Sequence, residues 1–126
     1  MLLRDDPLRI QVVFDVTDEV PGLDVAVYVT THGGVRVLDE TLSDHARPRL
    51  APGAYLAEVE VPPLLNVGDF TVGVWFGTAH DEILDEPAAA PFSLHGSHRG
   101  RPDRVVVLNL PVSVRPLPVE RSAEAG

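Results

Sequence analysis

The residue types here that bring chemistry with them are one tryptophan, two tyrosines, five histidines and an acidic run, in a chain with no cysteine. Without cysteine there is no thiol nucleophile, no disulfide and no thiolate zinc site. No Gly-x-Ser-x-Gly elbow, Gly-x-x-x-x-Gly-Lys phosphate loop or Gly-x-Gly-x-x-Gly fingerprint occurs, so nucleophile-elbow hydrolysis and nucleotide chemistry have no support. His32, His45, His80, His95 and His98 all fall in or beside predicted turns. His95 and His98 flank Gly96, and His80, Asp81, Glu82, Asp85 and Glu86 offer oxygen donors to a hard cation. Neither arrangement has the spacing of a specific metal site. Both read as solvated polar loops, with no metal or cofactor expected. Asp81 and Asp85 are near one another, but a loop fixes no distance between two carboxylates, so no acid/base pair emerges. The expectation is a protein that is not an enzyme.

The aromatic residues must be positioned by strands. Twelve prolines and ten glycines are scattered through 126 residues, which leaves no window for a long apolar pattern of period 3.6. Period two recurs instead. Leu8, Ile10, Val12, Phe14 and Val16 alternate with Arg9, Gln11, Val13 and Asp15; Leu23, Val25, Val27 and Val29 alternate with Asp24, Ala26, Tyr28 and Thr30. His32, Gly33 and Gly34 supply a tight hairpin, returning a strand over 35–42. Residues 43–53 read as a connection between sheets, 54–61 as a strand stopped by Pro62 and Pro63. From Gly68, the residues Phe70, Val72, Val74 and Phe76 face one way and Thr71, Gly73 and Trp75 the other. Residues 79–87 are expected to be an acidic loop or short strand, 91–94 a sixth strand, and 104–114 a last strand, with Pro111 at an edge or bulge. The fold class predicted is all-β: an antiparallel two-sheet β-sandwich, immunoglobulin-like or jelly-roll, over 1–115, with a flexible C-terminal tail over 116–126.

Parity then locates the candidate site. Tyr28 and Trp75 fall opposite the apolar alternation of their strands and so point outward. An exposed indole is a costly use of apolar area. With Gly73 leaving a gap beside Trp75, and Thr71, Gln11 and Arg9 as hydroxyl partners, the ring suits a pyranose stacked on its face. The same ring is equally open to cover by a loop, the tail or a partner subunit. A net charge of −9 repels phosphate backbones, so nucleic acid is not expected as a partner. No run of eighteen apolar residues exists and residues 1–10 have no signal-peptide core, so a cytoplasmic, non-membrane-spanning protein is expected.

Pro52-Gly53-Ala54-Tyr55, Val59-Glu60-Val61-Pro62, Leu64-Leu65 and Gly68-Asp69-Phe70-Thr71-Val72-Gly73-Val74 carry a resemblance. Over about residues 8–114, in strand-and-turn patterns of moderate specificity, the chain resembles the C-terminal carbohydrate-binding domain of O-antigen polysaccharide ABC transporters, the Wzt type. Phe92 and Gly100 fit the later positions of that pattern, and Gly33-Gly34 its hairpin. The resemblance implies recognition of an exported polysaccharide or oligosaccharide, a homodimer formed by C-terminal strand exchange, and an ABC transporter ATPase as a possible partner. This chain carries no ATPase segment and lacks an aromatic where the family's final strand commonly ends in tryptophan, so it reads as a stand-alone copy. The rival reading is a structural or protein-interaction β-sandwich with no sugar ligand.

Overall fold

A computed structural model describes residues 1–98, 100, 102–108 and 110–117. Its strands are β1 (Leu2–Leu3), β2 (Leu8–Val16), β3 (Asp24–Thr31), β4 (Arg36–Thr41), β5 (Gly53–Val61), β6 (Gly68–Gly77) and β7 (Glu82–His95), with one 3₁₀ turn at Leu42–Asp44. They form a five-stranded sheet of order β1-β7-β6-β3-β4 and a two-stranded sheet of β2 and β5. The larger sheet is mixed, which corrects the all-antiparallel expectation. β1 runs parallel to the end of β7, with Leu2 opposite Leu94 and Leu3 opposite His95, because the chain enters along that edge. Two residues are too short for any alternation to announce them.

The period-two readings of β2, β3 and β6 hold. Leu8, Ile10 and Val16 are buried on β2 while Arg9, Gln11, Val13 and Asp15 are exposed. Val27 and Val29 from β3, Phe70 and Val72 from β6 and Leu94 from β7 form one apolar cluster with Leu8, Ile10, Val61 and Leu65, so both sheets bury their inner faces in a shared core. Each fully buried aliphatic or aromatic side chain there contributes about 1.5–3 kcal/mol. Phe14 bridges the sheets, stacking on Tyr55 at 5.5 Å and meeting Phe76 edge-on at 5.0 Å. Gly34, at φ 92°, makes the β3–β4 hairpin, and residues 42–52 carry the chain from one sheet to the other as expected.

Two later elements differ from expectation. β7 is one strand of 14 residues, where an acidic loop or short strand over 79–87 and a separate short strand over 91–94 were expected. Its pairing with β6 shifts register between Val72 and Val74 and again between Phe76 and Gly77. Such bulges destroy the alternation that marks a strand, and Pro87 and Pro91 are tolerated because most of β7 has a free edge. The strand expected over 104–114 is reduced to a clip: Leu65 bridges Val106, Asn66 N–H donates to the Val105 carbonyl at 2.8 Å and Val107 N–H to the Leu64 carbonyl at 2.7 Å. Buried Asn66 donates its Nδ2 to the Arg104 carbonyl at 2.6 Å and accepts from Val67 N–H. Beyond the clip, Leu110, Val112 and Val114 are 71%, 88% and 93% exposed, and none of them pairs with a strand among the described residues. Most of the tail expected over 116–126 lies outside the described residues.

Candidate functional site

The outer face of the large sheet, away from the core, carries the aromatic residues. Cross-strand register sets Trp75 between Ala26 of β3 and Asp85 of β7, with Thr41 beyond Ala26 on β4. The next row sets Gly73 beside Tyr28 and Tyr28 beside Asp39. Around this face, the turns over 19–23 and 78–81 and the connection over 42–50 raise the walls of an open groove that Trp75, Ala26, Tyr28, Arg36, Asp39 and Thr41 line.

Trp75 is half-buried, and its indole leans along β6 over Gly77. A Cβ at Gly77 would lie 2.4 Å from Cζ2 of the ring, so glycine there is what lets the ring lie down. Trp75 Nε1 donates to Glu82 Oε1 at 3.2 Å, which fixes the ring's tilt and satisfies its one polar atom. An amphipathic ring with its nitrogen already partnered is a stacking surface.

Tyr28 occupies the outer face as parity requires, yet it is buried, with 2% exposure, and offers no open ring face to a ligand. Its ring lies over Gly73, where an added Cβ would come within 2.2 Å of Cε2. The Arg36 guanidinium covers it at 3.8 Å from the centroid, a cation–π contact. Its hydroxyl donates to Asp85 Oδ1 at 2.5 Å. Burial first, then the hydrogen bond and charge of Asp85, push the phenol up to about 12 against the opposing pull of Arg36. Gly73 is therefore the seat of Tyr28, with no gap left beside Trp75. The small residue beside the indole is Ala26 instead.

Of the remaining predicted residues, Thr71 is half-buried on this same face but does not line the groove. Arg9 and Gln11 belong elsewhere. Both project from the outer face of β2, where Gln11 Nε2 donates to Glu58 Oε2 at 2.7 Å and Arg9 pairs with Glu58 at 3.5 Å. The core lies between that face and Trp75, so these two cannot border its ring. The residues that sequence reasoning missed are on the walls. Asp24 Oδ1 accepts from Val25 N–H at 2.9 Å and from Ser43 N–H at 3.0 Å. Arg49 grips Glu19 with both its Nε and a terminal nitrogen, the latter at 2.9 Å from Oε2, holding the Glu19 carboxyl below the usual carboxylate range. Arg36 pairs with Asp39 at 3.1 Å. Among the described residues, no group of three or more His, Asp or Glu is placed to hold a metal ion, and His80 and Asp81 only edge the groove.

A second concavity of about 720 Å³ lies between the sheets, lined by Val25, Val27, Val29 and Leu38 on one side and Ile10, Phe14, Tyr55, Val59 and Val61 on the other. β4 and β5, edge strands of their respective sheets, flank it. Because β2 and β5 are only two strands, they leave part of the larger sheet's inner face uncovered.

Comparison with known proteins places this architecture. No family model matches the chain, and no curated protein does. Among solved structures, the chain is similar to a crystal structure of the C-terminal domain of Wzt, with a TM-score of 0.70 and 13% sequence identity, over 90% of this chain and 73% of that one. At that identity the likeness is one of fold. It agrees with the resemblance carried by the Gly53–Tyr55 and Gly68–Phe70 patterns: Tyr55 stacks on Phe14, and Phe70 is buried and stacks on Phe92 at 5.2 Å. Among the described residues no helix is long and apolar enough to cross a membrane.

Proposed function

We propose that the protein is a non-catalytic carbohydrate-binding domain, an immunoglobulin-like or jelly-roll sandwich of the Wzt C-terminal type, that binds a polysaccharide or oligosaccharide in the outer-face groove. The observation that carries this reading is the half-buried Trp75 indole, laid over Gly77 with its nitrogen tied to Glu82, beside the low floor at Ala26. A pyranose stacks its C–H face on such a ring while Asp39, Thr41 and the wall residues take its hydroxyls. Thr71 belongs to the margin of the site; Arg9 and Gln11 do not belong to it.

The likeness of fold to the Wzt domain supports a setting in O-antigen or related polysaccharide export, in the cytoplasm, with an ABC transporter ATPase as partner. The exposed apolar residues Leu108, Leu110, Val112 and Val114 support a homodimer formed by exchange of C-terminal segments, since such a segment, once extended, seeks a sheet edge and the inter-sheet concavity beside β4 and β5 is apolar. A glycan array probed with the full chain tests the function. Binding to a restricted set of polysaccharides is expected, whereas a protein-interaction domain ignores every sugar.

A further inference from the structure

The groove and the inter-sheet cleft lie on opposite faces of the large sheet and share one stretch of chain at its edge. Thr41, Leu42, Pro48 and Leu50 line both, so the connection over 42–50 is a party wall with the groove on one side and apolar core on the other. The wall is pinned at its ends and loose in its middle. At one end the Asp24 carboxylate accepts from Ser43 N–H. At the other the Tyr55 hydroxyl donates to the Ala51 carbonyl at 2.5 Å. Between them residues 47–50 make no backbone–backbone hydrogen bond among the described residues, and the side-chain tie is the Arg49–Glu19 pair across the groove's rim. A segment with exposed backbone and few buried contacts is the part of a fold that yields first.

We infer that this wall couples the two concavities: an apolar strand filling the cleft displaces Leu42, Pro48 and Leu50, and the groove beside Trp75 changes shape with them. The inference rests on the proposed exchange of the apolar arm between two copies, and it makes the sugar site responsive to assembly. Where an inserted strand reaches past the open space of the cleft it must push on its walls, which move as units because packed interiors have no slack to absorb added side chains. By linkage, a ligand that binds one groove shape better shifts association by the same factor. The Arg49–Glu19 tie sets the wall's position from the groove side, so cutting it uncouples the two.

Trp75 is the sole tryptophan, so its emission reports the groove with no sugar present. The experiment dilutes the full chain through its association range, with sedimentation velocity and Trp75 fluorescence and acrylamide quenching read on the same samples. Expected is a shift in emission and a change in quenching with the same midpoint as association. The Glu19→Ala/Arg49→Ala double variant is expected to associate normally and lose at least half of that optical change, and Leu110→Asp to stay monomeric with constant emission. Association without any change at Trp75 overturns the inference, as does a change that survives in full in the double variant, which assigns it to direct contact. A chain that remains monomeric throughout also overturns it, and leaves the carbohydrate reading to be judged by the glycan array alone.

Discussion

Replacing Gly73 by alanine tests the arrangement that makes the outer face what it is. The added methyl carbon would lie 2.2 Å from Cε2, 2.3 Å from Cζ and 2.8 Å from Cδ2 of Tyr28, so the ring must rise by more than an ångström. It has nowhere easy to go, with the Arg36 guanidinium 3.8 Å above it and its hydroxyl held by Asp85 at 2.5 Å. Overpacking of this kind costs about 1–3 kcal/mol. Breaking the phenol–carboxylate hydrogen bond adds about 1 kcal/mol, the low end for a charged partner because Asp85 is exposed. The backbone preference for alanine over glycine within a strand returns about 0.5–1 kcal/mol. The net expectation is a loss of about 1–3.5 kcal/mol in urea unfolding followed by Trp75 fluorescence. In a Tyr28→Ala background the space is free and only the backbone gain remains, so the same Gly73→Ala change should stabilise by about 0.5–1 kcal/mol, giving a coupling of about 2–4 kcal/mol. A Gly73→Ala protein within about 0.5 kcal/mol of the wild type, or strict additivity in the cycle, refutes the seating of Tyr28 on Gly73.

Tyr28 also makes stability pH-dependent at the alkaline end. Its phenol is raised from 10.0 to about 12 in the fold, so the folded state holds the proton more tightly; this contribution is full below pH 10 and is lost as pH climbs from 10 towards 12. Urea midpoints across that window should fall more in the wild type than in Tyr28→Phe, and parallel curves contradict the assignment. Truncation after Val107 should abolish self-association in sedimentation equilibrium while preserving the β-sheet circular dichroism spectrum, since Leu108, Leu110, Val112 and Val114 are exposed; a truncated chain that still dimerises removes the arm from the interface. Arg9→Ala/Gln11→Ala, on the far face, should change stability by no more than about 0.5 kcal/mol and leave glycan binding intact. Loss of binding in that variant would move the ligand to the two-stranded sheet.

Legibility in the sequence followed the regularity of each strand. The five apolar side chains from Leu8 to Val16 and the run from Phe70 to Phe76 state their own registers, since a slip of one residue would expose every one of them. Parity alone therefore put Trp75 on an outer face. It could not say which outer face, because each of the two sheets has one, and strand order decides which residues become neighbours. Arg9 and Gln11 share Trp75's orientation relative to the core and still sit on the opposite side of the protein. Outward also differs from exposed: Tyr28 points away from the core and is covered by Arg36 from the neighbouring strand. Gly73 carried the clue, since a glycine inside a strand marks a close approach, and its cross-strand neighbour is the tyrosine that fills it. β7 was legible only in pieces, as a short strand over 91–94 and a loop or short strand over 79–87, because bulges and prolines break its alternation at the sheet edge. The C-terminal arm has a period-two pattern and yet Leu110, Val112 and Val114 pair with no strand among the described residues, since a pattern states what a segment can bury and not whose sheet receives it.

The measurement closest to the central claim is a calorimetric titration of a polysaccharide selected on the glycan array into the wild type and Trp75→Ala, with urea unfolding of both. Trp75 is half-buried, so its truncation should cost about 1–2 kcal/mol of stability, less than the 3–5 of a core aromatic. Binding should weaken by about 0.5–1.5 kcal/mol, the worth of an aromatic stacking contact, or about two- to tenfold in affinity. Unchanged affinity in a variant that remains folded contradicts the account, because the groove would then have lost its only indole without the ligand registering it.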